Sequence, residues 1–131
     1  MTSCPFCELQ SSPNHSRVVD QNDSAFTIRD AYPLSLGHTL VIPKRHVVSF
    51  FELSEVEQHD LLRLVNAQYA ALKTELRFQD CNVGINDGPS AGQTVAHCHI
   101  HLIPRYSGDV ADPRGGIRWV IADKANYWSA S

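Results

Sequence analysis

The chain has 131 residues, which is enough for one domain and buries roughly two-thirds of the surface of the unfolded chain. Apolar residues make up 43% of it and charged residues 19%, a globular composition that excludes a disordered chain. Eleven basic and fourteen acidic residues leave a net charge of −3. Because this charge provides no global positive field, we expect no nucleic-acid partner, although a local phosphate site needs no excess of basic residues.

The N-terminal residues MTSCPFCELQ lack the basic and apolar regions of a signal peptide, and no apolar run reaches the length of a membrane span. We therefore expect a cytoplasmic protein with no membrane partner. In that compartment the four cysteines are expected to be metal ligands or buried side chains rather than disulfides.

Short apolar runs bounded by turn residues predict strands along much of the chain. A helical turn is expected near residues 46–51, a loop over 107–116, and a final strand or packing segment over 118–121. The predicted strands cover residues 17–19, 25–29, 38–42, 80–86 and 97–103.

One long helix is predicted after Ser54, because Glu57 follows it at the spacing of a capping box. An apolar stripe then predicts the buried face of this helix. The stripe consists of Leu61, Val65, Tyr69, Leu72 and Leu76. Strands, a helix and further strands with short connections predict a single α+β domain over residues 1–131 with a largely antiparallel sheet of about five strands, one long helix and a short helix.

The segment from 97 to 103, His-Cys-His-Ile-His-Leu-Ile, is the most informative part of the sequence. Alternate side chains of a strand point to opposite faces, so His97, His99 and His101 share one face and the residues between them share the other. The apolar face is expected to pack on the core, which turns the three imidazoles outward together. Such a row can bind a metal, or it can carry covalent and acid–base chemistry near neutral pH.

The segment HCHIHLI resembles the His-x-His-x-His-x-x motif of the histidine-triad nucleotide hydrolases and transferases. Two further segments, DAYPLSLGHTLVIPKR at 30–45 and NDGPSAGQTVAHCHIHLIPR at 86–105, are similar to the corresponding segments of that family. The tail sequence DPRGGIRWVI resembles bacterial members related to diadenosine polyphosphate hydrolases. The resemblance covers nearly the whole chain from Asp30 onward, and it implies the histidine-triad fold and a homodimer.

The resemblance implies that His99 attacks the α-phosphorus of an adenine nucleotide and forms a nucleotidyl-histidine intermediate, which water or another acceptor resolves. His101 would bond phosphate oxygens or protonate the leaving group, and His38 would orient the phosphate-binding groups. The expected catalytic residues are His99, His101, His97 and His38.

Nucleotide contacts are expected around the same segment. Gly92 allows a tight turn, and Gln93 and Thr94 offer neutral hydrogen bonds. The resemblance implies that Asn86 joins them and that Asp30 holds the ribose, since a carboxylate can accept from both ribose hydroxyls. The expected contacts are Asp30, Asn86, Gly92, Gln93, Thr94, Val95 and His101. Four further residues can belong either to a base pocket or to the core, namely Phe6, Phe26, Ile28 and Leu36.

A second site is predicted at Cys4 and Cys7, whose two-residue gap allows two thiolates to bind one metal. The pair also resembles a glutaredoxin motif, but only three residues precede Cys4 and a polar run follows, so we reject redox use. The resemblance implies that His46 and His97 complete a structural Cys2His2 zinc site. Residues 1–24 are then a zinc-binding segment, and residues 107–131 are a tail over the site. Magnesium is expected only with the substrate.

The sequence does not choose among dinucleoside polyphosphates, phosphoramidates and adenylyl sulfate as substrates, or between water and phosphate as acceptors. The alternative to an enzyme is a non-catalytic nucleotide-binding or scaffold module with a structural zinc. A protein that only binds metal is the third class.

Overall fold

In the computed structural model, which describes residues 3–11 and 15–129, one antiparallel sheet of five strands carries the fold. The strand order is β1-β2-β3-β5-β4, so β1 and β4 are the edges. The strands are β1 (Val18–Gln21), β2 (Ala25–Arg29), β3 (Thr39–Pro43), β4 (Asp80–Ile85) and β5 (Ile100–Arg105). The helices are α1 (Pro5–Ser11), α2 (Glu55–Glu75) and α3 (Ala122–Ala125). The predicted α+β fold class is confirmed.

Helix α2 begins with the predicted capping box. The Ser54 hydroxyl accepts from the backbone N–H of Glu57, and the Glu57 carboxylate accepts from the backbone N–H of Ser54. These bonds satisfy two of the N–H groups that every helix start leaves unpaired, which fixes where the helix begins.

The buried face of α2 differs from the predicted stripe. Buried positions step by three or four residues and pack against one face of the sheet; they are Leu61, Leu64, Gln68 and Leu72. Val65 is only partly buried and Tyr69 is 37% exposed. Gln68 is buried in the middle of this face, where its carboxamide oxygen accepts a hydrogen bond from the Arg29 guanidinium at 2.7 Å. The buried face of α2 is therefore rotated about the helix axis relative to the predicted apolar stripe.

The opposite face of the sheet carries the histidine motif. In β5, Ile100 and Leu102 are buried against the α2 side, while His101 lies on the other face, opposite Leu40 of β3 and Gly84 of β4. The predicted alternation is therefore confirmed for this strand.

The predicted start of this strand is wrong, because β5 begins at Ile100 and residues 97–99 form an irregular segment before it. The backbone N–H of Cys98 donates to the carbonyl of Val47 and that of His97 donates to the carbonyl of Val95, which draws this segment out of the sheet ladder. The ring of His97 is not turned outward, since the residue is 0% exposed, whereas His99 is 8% exposed and its ring lies on the face that carries His101.

The part of the chain that the structure describes also contains four short 3-10 turns: His15–Arg17, Phe50–Glu52, Pro89–Ala91 and Gly116–Ile121. The second lies at the end of the predicted helical turn, and the last covers the segment predicted as a strand or packing segment. The last turn and α3 pack together, and the turn contacts the edge strand β4. None of the helices within 3–11 and 15–129 has the length and apolar content needed to cross a bilayer.

Candidate active site

A cavity of about 590 Å³ opens on the histidine-bearing face of the sheet. Its floor comes from β3 and β5, one wall comes from α1, and the remaining sides come from the loops after β2 and before β5. The lining includes Phe6, Leu9, Asp30, His38, Leu40, Asn86, Thr94, Val95, His99 and His101. The cavity therefore brings together most of the predicted nucleotide-binding residues.

His99 presents one free ring nitrogen to this cavity. Its Nδ1 lies 2.9 Å from the carbonyl oxygen of His97, and a carbonyl can only accept, so Nδ1 carries the proton. No hydrogen-bond partner for Nε2 is found in the described ranges, and the ring lines the cavity. The edge of the Phe6 ring packs against the His99 ring at 5.2 Å between centroids, which limits its rotation. The tautomer fixed by the His97 carbonyl therefore presents Nε2 of His99 to the cavity as the nitrogen available for attack.

His101 and His38 form a hydrogen-bonded pair beside His99. The backbone N–H of Leu34 donates to His38 Nδ1 at 3.1 Å, so His38 carries its proton on Nε2. His38 Nε2 lies 2.9 Å from His101 Nδ1 and donates to it, which leaves the proton of His101 on its own Nε2. The Asp30 carboxylate approaches His38 Nε2 at 3.4 Å and supports the same tautomer. The partners therefore make His101 a hydrogen-bond donor in the cavity.

Burial keeps this pair neutral. The pKa of His101 is lowered to about 4, first by burial and then by the nearby His99 and His38, while the Asp30 carboxylate acts in the opposite direction. Burial also lowers the pKa of His38, again opposed by Asp30. Both imidazoles are therefore uncharged at pH 7, which preserves the chain of donors and acceptors.

The second predicted site is also assembled. The Sγ atoms of Cys4 and Cys7 lie 3.3 Å from the Nδ1 atoms of His97 and His46 respectively, and those two nitrogens are 3.1 Å apart. All four ligand atoms lie within 4.8 Å of one another. His97 Nε2 lies 2.8 Å from the carbonyl of Pro43 and must donate to it, so the Nδ1 lone pair faces the cysteines. Two thiolates and two neutral imidazoles are a donor set that fits zinc.

His97 connects the two sites. Its ring belongs to the cysteine cluster and does not line the cavity, while its carbonyl holds the proton of His99 Nδ1. The expectation that its imidazole would share an open face with His99 and His101 is corrected, because the irregular backbone at 97–99 turns the ring toward Cys4 and Cys7.

Two of the predicted nucleotide contacts shape the loop instead. The carboxamide oxygen of Gln93 accepts from the N–H of Gly88 at 2.7 Å, and its nitrogen donates to the carbonyls of Val48 and Val95, each at 3.0 Å. Gly92 has a φ of +91°, which favours glycine and makes the predicted tight turn. Neither residue lines the cavity; this loop presents the next two residues of the chain to it.

A HIT domain model matches residues 11–108 of the chain. An uncharacterized HIT-like protein of Mycoplasma genitalium is 36% identical over 105 residues, which are 80% of this chain and 74% of that protein. The chain belongs to the HIT family. It is also 34% identical over 107 residues to the AP-4-A phosphorylase of Mycobacterium tuberculosis, an alignment that covers 80% of this chain and 55% of that protein.

Solved HIT structures share the fold. A HIT family protein from Bacillus anthracis superposes with a TM-score of 0.76 at 34% identity, covering 82% of this chain and 76% of that one. A Zn-bound histidine triad family protein from Mycobacterium smegmatis gives a TM-score of 0.74 at 33% identity, covering 84% and 80%.

Sequence reasoning left the apolar side of this HIT cavity unassigned. Phe6 and Ile28 line it, whereas Phe26 packs in the adjoining core cluster and Leu36 is 69% exposed on the far side of the loop. Leu9, three residues after Phe6 on α1, was the available signal for a short helix with one apolar side. The sequence predicts a tail over the site, but none of the described residues 107–129 lines this cavity; the tail covers the adjoining part of the same sheet face.

Proposed function

We propose that this HIT protein is an enzyme that cleaves a dinucleoside polyphosphate, or a related adenylyl compound, at the α-phosphorus through a nucleotidyl-histidine intermediate. The observation that carries the proposal is the His99 ring, whose proton is held on Nδ1 by the His97 carbonyl while Nε2 faces a cavity of nucleotide size. The similarity to a protein named AP-4-A phosphorylase supports the same substrate class.

In the first step the lone pair of His99 Nε2 forms a bond to the α-phosphorus. The bond from phosphorus to the bridging oxygen breaks, and its electron pair leaves on that oxygen with the departing polyphosphate. His101, whose proton is on Nε2, donates a hydrogen bond to the phosphoryl group or to the leaving oxygen. The leaving group is itself acidic, so this step asks little of His101 as an acid. The developing positive charge on His99 is spread by the bond from Nδ1–H to the His97 carbonyl.

In the second step an oxygen of water, or of another acceptor, attacks the same phosphorus. The phosphorus–nitrogen bond breaks, its electron pair returns to His99 Nε2, and the proton lost by the attacking water passes to solvent. With water as the acceptor the nucleoside monophosphate is released, and with another acceptor the nucleotidyl group leaves on that acceptor; in both cases His99 regains its starting tautomer. Splitting one displacement into two is the advantage of a covalent intermediate.

The cavity offers distinct surfaces for the parts of a nucleotide. Phe6, Leu9 and Ile28 form an apolar wall for the base, and the Asp30 carboxylate lies where it can accept from ribose hydroxyls. Asn86 and Thr94 face the position that phosphate oxygens would occupy next to His99. These assignments are part of the proposal.

We also infer that Cys4, Cys7, His46 and His97 hold a structural zinc ion. Four protein ligands close a tetrahedral site, so the ion would supply a cross-link rather than a catalytic position. The cross-link would tie the start of α1 to the segment that carries His99. The Zn-bound histidine triad protein of Mycobacterium smegmatis supports zinc as the identity of the ion. Burial, with Cys4 adjacent, raises the pKa of the Cys7 thiol, so a bound cation would be needed to hold it as a thiolate.

The test measures adenosine monophosphate released from diadenosine tetraphosphate and from adenosine 5′-phosphoramidate. His99→Asn should lower the rate with both substrates by at least about a thousandfold, as expected for loss of a nucleophile. His59→Asn, which changes an exposed histidine on α2, is the matched control and should leave the rates unchanged. A His99→Asn protein as active as the parent would refute the covalent mechanism. A parent that binds adenosine monophosphate but cleaves neither substrate would favour the non-catalytic binding module.

A further inference from the structure

A second cavity of about 510 Å³ lies on the same sheet face as the first. It lies between strands β4 and β5 and the C-terminal 3-10 turn. Its volume is close to that of the cavity lined by His99. Its lining includes Asn82, Ile103, Arg105, Ile117, Trp119 and Val120. The mechanism proposed above uses none of these residues.

The two cavities adjoin along both strands. On β5, His101 lines the first and Ile103 lines the second; these residues are two apart on one face, at a separation of about 6.7 Å. On the neighbouring strand, Asn86 lines the first and Asn82 the second, and Gly84 lies between them opposite His101. The two cavities are therefore neighbours on one sheet face, with Gly84 at the boundary between them.

Gly84 contributes no side chain at the boundary between the cavities, and the Ile117 side chain of the 3-10 turn lies over it. Its backbone does not have a positive φ, so the conformation of β4 does not require glycine there. A Cβ at this position would meet only Ile117, at 3.4 Å, which is ordinary contact. Neither the backbone conformation of β4 nor close packing therefore requires glycine at position 84. The absence of a side chain there affects only the surface between the two cavities.

The chemistry of the second cavity suits a nucleobase. The Trp119 ring is 48% exposed and is held by a hydrogen bond of 2.7 Å from its Nε1 to the carbonyl of Arg114. The Asn82 carboxamide oxygen accepts from Arg105, so its NH₂ group remains as a neutral donor. Arg105 is itself neutralised by the Asp109 carboxylate at 2.8 and 2.9 Å. A flat aromatic surface with a neutral amide favours a base over a phosphate.

We propose that this second cavity binds the nucleoside of the departing nucleotide when the substrate is a dinucleoside polyphosphate. The inference rests on the function proposed for the first cavity, and it names the substrate class of that site. The adenylyl group transferred to His99 would occupy the first cavity, and the polyphosphate would cross the boundary at Gly84 beside the Ile117 side chain. When the bond between the α-phosphorus and the bridging oxygen breaks, the oxygen leaves with the nucleotide whose base stacks on Trp119.

The test compares kcat/KM for diadenosine tetraphosphate with kcat/KM for adenosine 5′-phosphoramidate, which transfers the same adenylyl group but has no second nucleoside. Trp119→Ala should lower the ratio of the two values at least about fivefold, the lower end of what removal of a base–aromatic stack costs. Trp119→Phe keeps a ring and should restore the ratio to within about twofold of the parent value. Gly84→Val places a side chain at the boundary between the cavities, against Ile117, and should also lower the ratio.

The outcomes separate this inference from the function on which it rests. A parent that cleaves neither compound overturns both. A parent that cleaves both, with ratios unchanged in Trp119→Ala and Gly84→Val, overturns only the second nucleoside site. Sedimentation of the same variants tests the other occupant of this face, a second copy of the chain. A dimer that becomes a monomer in Trp119→Ala, with equal loss for the two substrates, would show a subunit interface and refute the nucleoside site.

Discussion

Lowering the pH from 7 to 5 should destabilise the protein through His101. Burial holds the pKa of this imidazole at about 4, against an ordinary value of 6.5. Between pH 6.5 and pH 4, the unfolded chain binds a proton at His101 that the folded chain does not. The free energy of unfolding therefore falls as the pH falls through this range. Above pH 6.5 both states are neutral and the penalty is absent. With about 1.4 kcal/mol for each unit of pKa, the loss at pH 5 is about 2 kcal/mol.

Urea unfolding of the parent and of His101→Asn at pH 7 and pH 5 measures this effect. Both proteins contain the cysteine cluster and the other histidines, so the losses due to those groups are common to the two. The parent should lose about 2 kcal/mol more than the variant over this range, because only the parent has an imidazole at position 101. An equal loss in the two proteins would refute the account of His101 as a neutral buried group.

Three further predictions concern stability and the zinc segment. A chelator should speed amide exchange at residues 3–11 and weaken binding of adenosine monophosphate, since α1 supplies a cavity wall; unchanged exchange would contradict the proposed cross-link. Ser54→Ala should lower the free energy of unfolding by about 1 kcal/mol through loss of the helix cap, measured in urea. Gln68→Ala should lower it by about 1–3 kcal/mol, because the Arg29 guanidinium loses a buried acceptor at 2.7 Å; a smaller effect than in Ser54→Ala would argue against that network.

The elements with local signals could be predicted well from the sequence. The capping box at Ser54 marked the start of α2, and the alternation after His99 gave the face on which His101 lies. The stripe on α2 was less accurate, because Gln68 is buried through bonds to Arg29 and to Asp20, which are far away in the sequence. A pattern of apolar residues does not identify a polar side chain that is buried in the core.

The irregular backbone at residues 97–99 could not be predicted, because its cause lies outside the segment. The ring of His97 is turned by Cys4, which is 93 residues away in the sequence, and the backbone is held by Val47 and Val95. Helix α1 has only seven residues, which is too few for a helix that is stable by itself. It depends on the cysteine cluster and on the packing of Phe6 against the sheet. The homodimer, the cytoplasmic location and magnesium with the substrate stay predictions.

The most direct test of the covalent mechanism is mass spectrometry of the protein during turnover of diadenosine tetraphosphate, in a rapid-quench series stopped in alkali. We expect a transient species heavier by one adenylyl group, and fragmentation should place that group on His99. The species should be absent from His99→Asn and present in the His59→Asn control. An adenylyl group on any other residue, or turnover with no adenylylated protein at any time point, would contradict the mechanism.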